Sequence, residues 1–185
     1  MRIHLILIGF LSVVLLGCDP FYYADPVDPR LPEFTADGEN KAGAYIDGYA
    51  WRTSGSPSIV YYSTSDSTVV TFPTASLISG SDEYDPNADV SFLLRGDFFR
   101  QITETPLSGP LEIILDGTEN QGKLTLSEDY GPTTTCANGT GKLIIRNVFQ
   151  RETDWVVAGT FGFDISTPCG QHTVHQGRFD FRVDS

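Results

Sequence analysis

Short stretches of alternating apolar and polar residues are the feature that most constrains this chain. The clearest of them are 90–94, 111–115, 161–165 and 179–183. Turn-forming residues separate such stretches about every 8–14 positions, a spacing typical of antiparallel sandwiches and barrels. Since each stretch is too short to be stable alone, roughly nine to eleven strands must share one core. The predicted fold is therefore all-β, an antiparallel β-sandwich or flattened barrel.

Three turns are predicted from their residue types. Asp47–Gly48 predicts a tight turn between the half-strands 44–46 and 49–51, and Ser63–Ser67 predicts the tip of a hairpin. Asn138–Gly139 predicts a further hairpin, because a type I′ turn needs positive φ at both central residues. Short connections of this kind favour antiparallel pairing.

Composition narrows the function classes. The chain has 185 residues, which suits one domain, and its net charge is −12. An acidic chain without a basic stripe lacks what nucleic-acid binding requires. Three His and three Cys without a dense cluster offer little basis for a zinc or haem site.

The first 17 residues have the pattern of a signal peptide. Arg2 supplies a positive charge and the following residues to Leu16 form an apolar run. That run is too short for a permanent span of a bilayer of about 30 Å, but it suits a secretory segment. It ends in Leu-Leu-Gly17-Cys18, which looks like a bacterial lipobox, so cleavage is predicted between Gly17 and Cys18.

Lipidation of Cys18 would fix the domain layout. Its thiol takes the diacylglyceryl group. Stable membrane anchoring needs at least two acyl chains or an equivalent second binding group, and the acyl chains on Cys18 exceed that requirement. Residues 1–17 are then the removed signal peptide, 18–40 the lipidated Cys and a Pro-rich tether, and 41–185 a single all-β domain. The predicted location is the cell envelope, at the outer membrane, on either its periplasmic or its outer face.

The remaining cysteines, Cys136 and Cys169, suit an exported protein. An oxidising envelope favours a disulfide between them. In the chain-entropy model, closing the loop between these two cysteines raises the free energy of unfolding by about 3–4 kcal/mol. Two free buried thiols are the alternative.

Two segments resemble a group of uncharacterised Bacteroidota lipoproteins. Residues 31–51, LPEFTADGENKAGAYIDGYAW, resemble a start of the form LPxxTxxGxNxxGxxVNGxxW, although Asp47 stands where Asn is commoner. Residues 159–163 and 177–180, GTFGF and GRFD, are similar to the closing hairpin of the same proteins. The resemblance implies an envelope-exposed all-β lipoprotein and implies no activity. From the residues themselves, we expect these motifs to have structural roles, with Trp51 as a core anchor.

Catalytic patterns are weak. His172 and His175 are the candidate bases of the mature chain, but three residues apart on a strand they point to opposite faces. No G-x-S-x-G nucleophile motif occurs, so no catalytic residue is predicted.

One acidic segment has the spacing of a calcium loop. Asp85, Asn87 and Asp89 alternate as the first three ligands of such loops do. The glycine and distal glutamate of an EF-hand are lacking, and a solvated loop with Asx turns is the alternative. No other cofactor is expected.

Two surface features remain. Asp66-Ser67-Thr68 looks like the periplasmic O-glycosylation sequon of Bacteroidota, which makes Ser67 a candidate modification site. Tyr45 and Tyr61 lie in the Tyr-rich first strands and are candidate rings for stacking on a sugar, with cross-strand packing as the alternative.

These observations predict a non-catalytic, lipid-anchored module that contacts a glycan or an envelope protein. The alternative is a lipocalin-like carrier, in which a closed barrel encloses an apolar small molecule. An envelope hydrolase ranks third. The membrane is the expected partner, nucleic acid is not, and the sequence does not indicate an oligomeric state.

Overall fold

The structure is a computed structural model that describes residues 30–78, 87–104, 107–127, 133–167 and 170–184. This part of the chain contains eleven strands and one short helix. The strands are β1 Lys41–Ile46, β2 Tyr49–Ser54, β3 Ser58–Tyr62, β4 Ser67–Thr71, β5 Ala75–Ile78, β6 Asn87–Arg95, β7 Leu111–Asp116, β8 Gln121–Ser127, β9 Thr134–Arg151, β10 Asp154–Thr167 and β11 Gly170–Asp184. The helix, α1, is Phe98–Glu104, between β6 and β7.

Eight of the strands close into an antiparallel barrel. The order around it is β6-β5-β2-β1-β11-β10-β9-β8, and β8 pairs back onto β6. The β3–β4 hairpin extends the sheet beyond β6, and β7 pairs with the part of β9 that β8 leaves free. The predicted all-β architecture and antiparallel pairing are confirmed, and of the two predicted forms the structure is a barrel.

Aromatic rings fill the inside of this barrel. Phe72, which follows β4, lies at their centre and its ring contacts five others at centroid distances of 5.7–6.3 Å. Those five are Trp51, Phe92, Phe161, Phe179 and Phe181. Trp51 is fully buried, as predicted, and its indole N–H donates to the Ala88 carbonyl at 3.0 Å. Because an eight-stranded barrel is just wide enough for side chains to fill, this interior is a packed core.

Glycines lie directly beneath the rings. In the β10–β11 hairpin, Gly159 is opposite Phe179 and Phe161 is opposite Gly177, so each ring covers the glycine of the other strand. A Cβ on Gly159 would lie 2.6 Å from the Phe179 ring, and one on Gly177 would overlap the Phe161 ring. The predicted hairpin of GTFGF and GRFD is confirmed, and these contacts explain its residue pattern.

Residues 30–40, predicted as the end of the tether, pack on the outside of the barrel. Leu31 is buried, and the Asp180 carboxylate accepts hydrogen bonds from the Thr35 hydroxyl and from the amides of Asp37, Gly38 and Glu39. This segment therefore belongs to the folded unit, because a buried carboxylate on β11 holds its backbone.

The barrel has two distinct ends. At the lower end, β1 ends at Ile46, β6 begins at Asn87 and the β10–β11 connection leaves Thr167 opposite Gly170. At the upper end, β6 ends at Arg95 and α1 follows it. The predicted turn at Asp47–Gly48 is confirmed and lies at the lower end, with Asp47 at φ 52° and Gly48 at φ 86°.

One expectation from the sequence was wrong, and one element was not predicted. Asn138–Gly139 is not a hairpin turn, because β9 runs through it from Thr134 to Arg151. Asn138 does have a positive φ of 62°, but at an irregularity in the pairing with β8, where Gly122 and Gly139 meet and a Cβ on either would strike the Phe163 ring. The helix α1 was not predicted, since seven residues are too few to establish a helical period.

The ring-on-glycine contacts predict a local loss of stability. We expect Gly177→Ala to lower the free energy of unfolding by about 1–3 kcal/mol, because the added methyl overpacks against Phe161. Gly109→Ala is the control, since nothing lies within 4 Å of a Cβ there. Urea denaturation of both variants measures the effect, and equal stability of the two would contradict this account of the core.

Candidate functional site

A pocket of about 280 Å³ opens at the upper end of the barrel. Its floor is apolar and its walls are polar. The lining residues are Asp66, Leu94, Arg95, Gly96, Phe98, Gln101, Ile113 and Asn120. They come from the β3–β4 tip, the end of β6, α1, β7 and the β7–β8 turn, so the pocket exists only in the folded chain.

The helix α1 forms one wall. The Asp97 carboxylate caps it by accepting a hydrogen bond from the Arg100 amide at 3.1 Å, and Phe98 and Ile102 are buried. The fully buried Thr68 hydroxyl ties the helix start to β4, because it accepts from the Phe98 amide at 3.0 Å and donates to the Gly96 carbonyl at 2.7 Å. The helix therefore closes the barrel end and positions the pocket floor.

The β7–β8 turn forms the opposite wall. The Asp116 carboxylate accepts hydrogen bonds from the Thr118 amide at 2.7 Å, the Thr118 hydroxyl at 2.9 Å and the Asn120 amide at 3.1 Å. These bonds, that from the Thr118 amide foremost, hold the pKa of Asp116 below its usual value. The Asn120 side-chain oxygen then accepts from the Arg95 amide at 2.8 Å, which fixes Asn120 beside the pocket.

Tyr61 lies beside the pocket at its rim. Its hydroxyl donates to the Asp66 carboxylate at 3.0 Å, and this hydrogen bond raises the pKa of Tyr61. The side chain is 42% exposed, so the ring is accessible from solvent. Asp66 in turn has a positive φ of 45° and its carbonyl accepts from the Gly96 amide, which holds the hairpin tip against β6.

Two arginines near the pocket form ion pairs. Arg95 contacts Glu119 at 2.6 Å, and on α1 Arg100 contacts Glu104 at 2.8 Å. The bond to Glu104 raises the pKa of Arg100. Both pairs are exposed, so they contribute little to stability. The carboxylates of Asp66, Asp97 and Asp116 accept hydrogen bonds from neutral donors, so the rim carries a net negative charge. The arrangement suits an uncharged polar ligand better than an anion.

The structure separates the two predicted stacking tyrosines. Tyr45 lies near the lower end and is 5% exposed, because its ring stacks on His175 at 5.4 Å and Arg30 covers it at 5.1 Å. It is therefore no platform for a sugar, and cross-strand packing accounts for it. Tyr61 is the accessible ring of the two.

The predicted glycosylation site lies close to the pocket. Ser67 begins β4 and is half-buried, and its Oγ is 2.7 Å from the Ser65 Oγ. The Thr68 of the sequon is fully buried beneath it. Modification of Ser67 stays a prediction.

The calcium prediction is only partly within the described residues, since Asp85 lies outside them. Asn87 and Asp89 share the outer face of β6, where the Asn87 oxygen accepts from the Ser76 hydroxyl at 2.8 Å. No group of three or more His, Cys, Asp or Glu positioned for a metal occurs in the described ranges. Calcium binding stays a prediction.

Other predicted residues also lie beyond the described ranges. Gly17, Cys18 and Cys169 are outside them, whereas Cys136 lies in the core and is 1% exposed. Lipidation and the disulfide therefore stay predictions. The two histidines lie away from the pocket, His172 with its Nδ1 2.7 Å from the Asp47 carboxylate and His175 against Tyr45.

Sequence reasoning missed most of the pocket. The polar residues Asp66, Arg95, Gln101 and Asn120 are scattered over four elements, and no linear pattern joins them. One signal was present: Asp97 is a good helix cap and precedes the apolar pair Phe98 and Ile102, four positions apart.

Comparison with known proteins does not identify the site. No protein-family model, no curated protein and no solved structure matches the chain. Within the described ranges, no helix has both the length and the hydropathy that crossing a membrane requires.

The Asp116 hydrogen bonds predict a pH dependence of the pocket wall. Because the folded state lowers the pKa of Asp116, its contribution to stability is present above the unfolded pKa and is lost as pH falls through the folded value. In an NMR acid titration we expect Asp116 to titrate below the usual aspartate range and the Asn120 amide signal to shift with it. Asp116→Ala should abolish that shift, whereas Glu112→Ala, an exposed change on the same strand, should preserve it. A wild-type Asn120 signal that does not follow Asp116 would contradict the prediction.

Proposed function

We propose that this protein is a lipid-anchored, non-catalytic binding module of the cell envelope that holds a neutral sugar unit in its upper-end pocket. The observation that carries the proposal is the combination of polar walls, an apolar floor and an exposed ring. Asp66, Gln101 and Asn120 supply donors and acceptors, and Tyr61 supplies the ring.

Sugar chemistry fits this arrangement. A sugar presents hydroxyls that both donate and accept, which carboxylate, amide and guanidinium groups can satisfy at once. It also presents C–H faces that pack on an aromatic ring. The volume of about 280 Å³ is at the lower edge of the ~300–1,000 Å³ typical of ligand sites. This size favours one sugar unit of a longer glycan.

The packed interior favours a binding module over a carrier of apolar molecules. An apolar cargo inside the barrel would have to displace Phe72 and the five rings around it. Those rings hold the barrel together, so their displacement would unfold it. The pocket also contains one carboxylate among its lining residues, Asp66, whereas glycoside hydrolysis generally uses two.

The anchoring part of the proposal is supported by the sequence. An apolar run that ends in Leu15-Leu16-Gly17-Cys18 is the pattern that lipoprotein processing requires. Residues between Cys18 and Arg30 then connect the lipid to the folded barrel.

A sugar titration tests the pocket. We expect glucose, galactose, mannose or N-acetylglucosamine at millimolar concentration to shift NMR signals of Leu94, Gly96, Gln101 and Asn120. Tyr61→Ala should weaken this binding about fivefold, equivalent to about 1 kcal/mol for the lost ring contact. Tyr62→Ala is the matched control, because Tyr62 is the next residue of β3, is 50% exposed and points to the other face. Equal losses in both variants, or no shifts at the pocket, would refute the proposed site.

Cell fractionation tests the anchor. We expect the wild-type protein to float with membranes and Cys18→Ala to lose that partitioning, because the acyl chains supply the membrane affinity. Protease added to intact cells then distinguishes an external domain from a periplasmic one. A Cys18→Ala protein that still floats with membranes would contradict lipid anchoring.

A further inference from the structure

We propose that the lower end of the barrel is a membrane-contact surface, at which Tyr49 and Ile78 lie against the lipid bilayer while the sugar pocket points away from it. The inference rests on the proposed anchoring at Cys18. It adds the orientation of the barrel and therefore the side from which a ligand arrives.

The path of the chain is the first argument. Arg30 lies over the Tyr45 ring, and Leu31 is buried with Tyr45 and Ala50. Pro32 then packs on Gly43, and its carbonyl accepts from Arg178 at 3.3 Å. The segment runs from the level of Tyr45 up to Lys41, so the chain coming from Cys18 reaches the barrel near its lower end.

The second argument is an exposed apolar pair at that end. Tyr49 begins β2 and is 49% exposed, and Ile78 ends β5 and is 41% exposed. Ile78 pairs with Ala50, the residue after Tyr49, so both side chains lie at the same end of the β2–β5 ladder and leave opposite faces of the sheet. Tyrosine is enriched where membranes meet water, since its ring is apolar and its hydroxyl stays hydrated. The pair thus offers a bilayer a ring and an aliphatic side chain next to the tether.

The tether alone does not set the orientation. The twelve residues from Asp19 to Arg30 reach at most about 37 Å as an extended Pro-rich chain. That exceeds the height of the barrel wall, in which β6 with nine residues spans about 30 Å along the strand. A freely tethered barrel would tumble, so the apolar pair is what would favour one orientation.

Charge does not supply the attraction. The residues that connect β5 to β6 include Asp82, Glu83 and Asp85, and the whole chain has a net charge of −12. Contact with anionic head groups would therefore be held by apolar burial next to the anchor, and added salt should not weaken it, because screening reduces the repulsion between like charges.

A depth measurement on the full-length lipidated protein tests the proposal. A cysteine introduced by Tyr49→Cys or Tyr62→Cys is labelled with the fluorophore NBD, and the unsubstituted protein is labelled in parallel to account for Cys136 and Cys169. The labelled proteins are placed in phosphatidylethanolamine–phosphatidylglycerol vesicles that contain a head-group spin-labelled lipid as quencher. Tyr62 is the matched position, because it is an equally exposed tyrosine at the upper end. We expect several-fold stronger quenching at 49 than at 62, with the difference retained in high salt.

A second pair of variants separates the contact from the tether. Combining Tyr49→Ser with Ile78→Ser should remove the bias, as read from a label near the lower end at Thr173→Cys compared with a label near the upper end at Glu119→Cys. The control combines Val60→Ser with Tyr62→Ser, an exposed tyrosine and aliphatic residue on β3, and should leave the bias unchanged. Equal quenching at both ends of the wild-type protein would overturn this inference alone. A wild-type protein that does not float with vesicles would overturn the anchoring and this inference with it.

Discussion

The structure depends on the packing of aromatic rings directly on glycines inside a narrow closed barrel. Phe161 lies on Gly177 and Phe179 lies on Gly159, from opposite strands of one hairpin. In a narrow barrel of eight strands, a glycine on the neighbouring strand leaves room for such a large ring. Because these rings pack directly on glycines, Phe72 can reach the centre of the barrel and contact rings from both halves of the chain. The packing of these rings inside the barrel, rather than any single hydrogen bond, therefore stabilises its closed form.

Contacts within the fold also account for the motifs at the two ends of the domain. The segment 31–51 is patterned because it must run along β11 and then enter the core at Trp51. Asp180, 2% exposed, accepts four hydrogen bonds from the turn at 35–39, so the closing GRFD motif and the opening segment are parts of one interaction. A buried carboxylate is tolerable when its oxygens are satisfied in this way. The residues of these two motifs thus join the segment that precedes β1 to the last strand of the barrel.

Local patterns made the strands predictable, and non-local geometry limited the rest. The alternation of Val90, Phe92 and Leu94 is visible in sequence because one face of β6 is buried and the other is not. Asn138–Gly139 misled because positive φ suits a bulge in a long strand as well as a hairpin turn, and only the approach of Gly122 distinguishes them. The pocket escaped prediction for the same reason, since its walls meet only when the barrel closes and α1 covers its end.

Because the core and the pocket are separate, substitutions in the two places have different effects on stability. The rings that hold the barrel lie inside it, whereas the polar side chains of the pocket, including Arg95 and Gln101, are exposed at its upper end. Substitutions there remove few buried contacts, so the polar groups of the pocket can vary with little effect on stability. Phe98 and Leu94 are the exceptions, because they form the pocket floor and are also buried in the core. The rim can therefore accept substitutions that the floor cannot, because a change of shape at the floor would disturb the closure of the barrel.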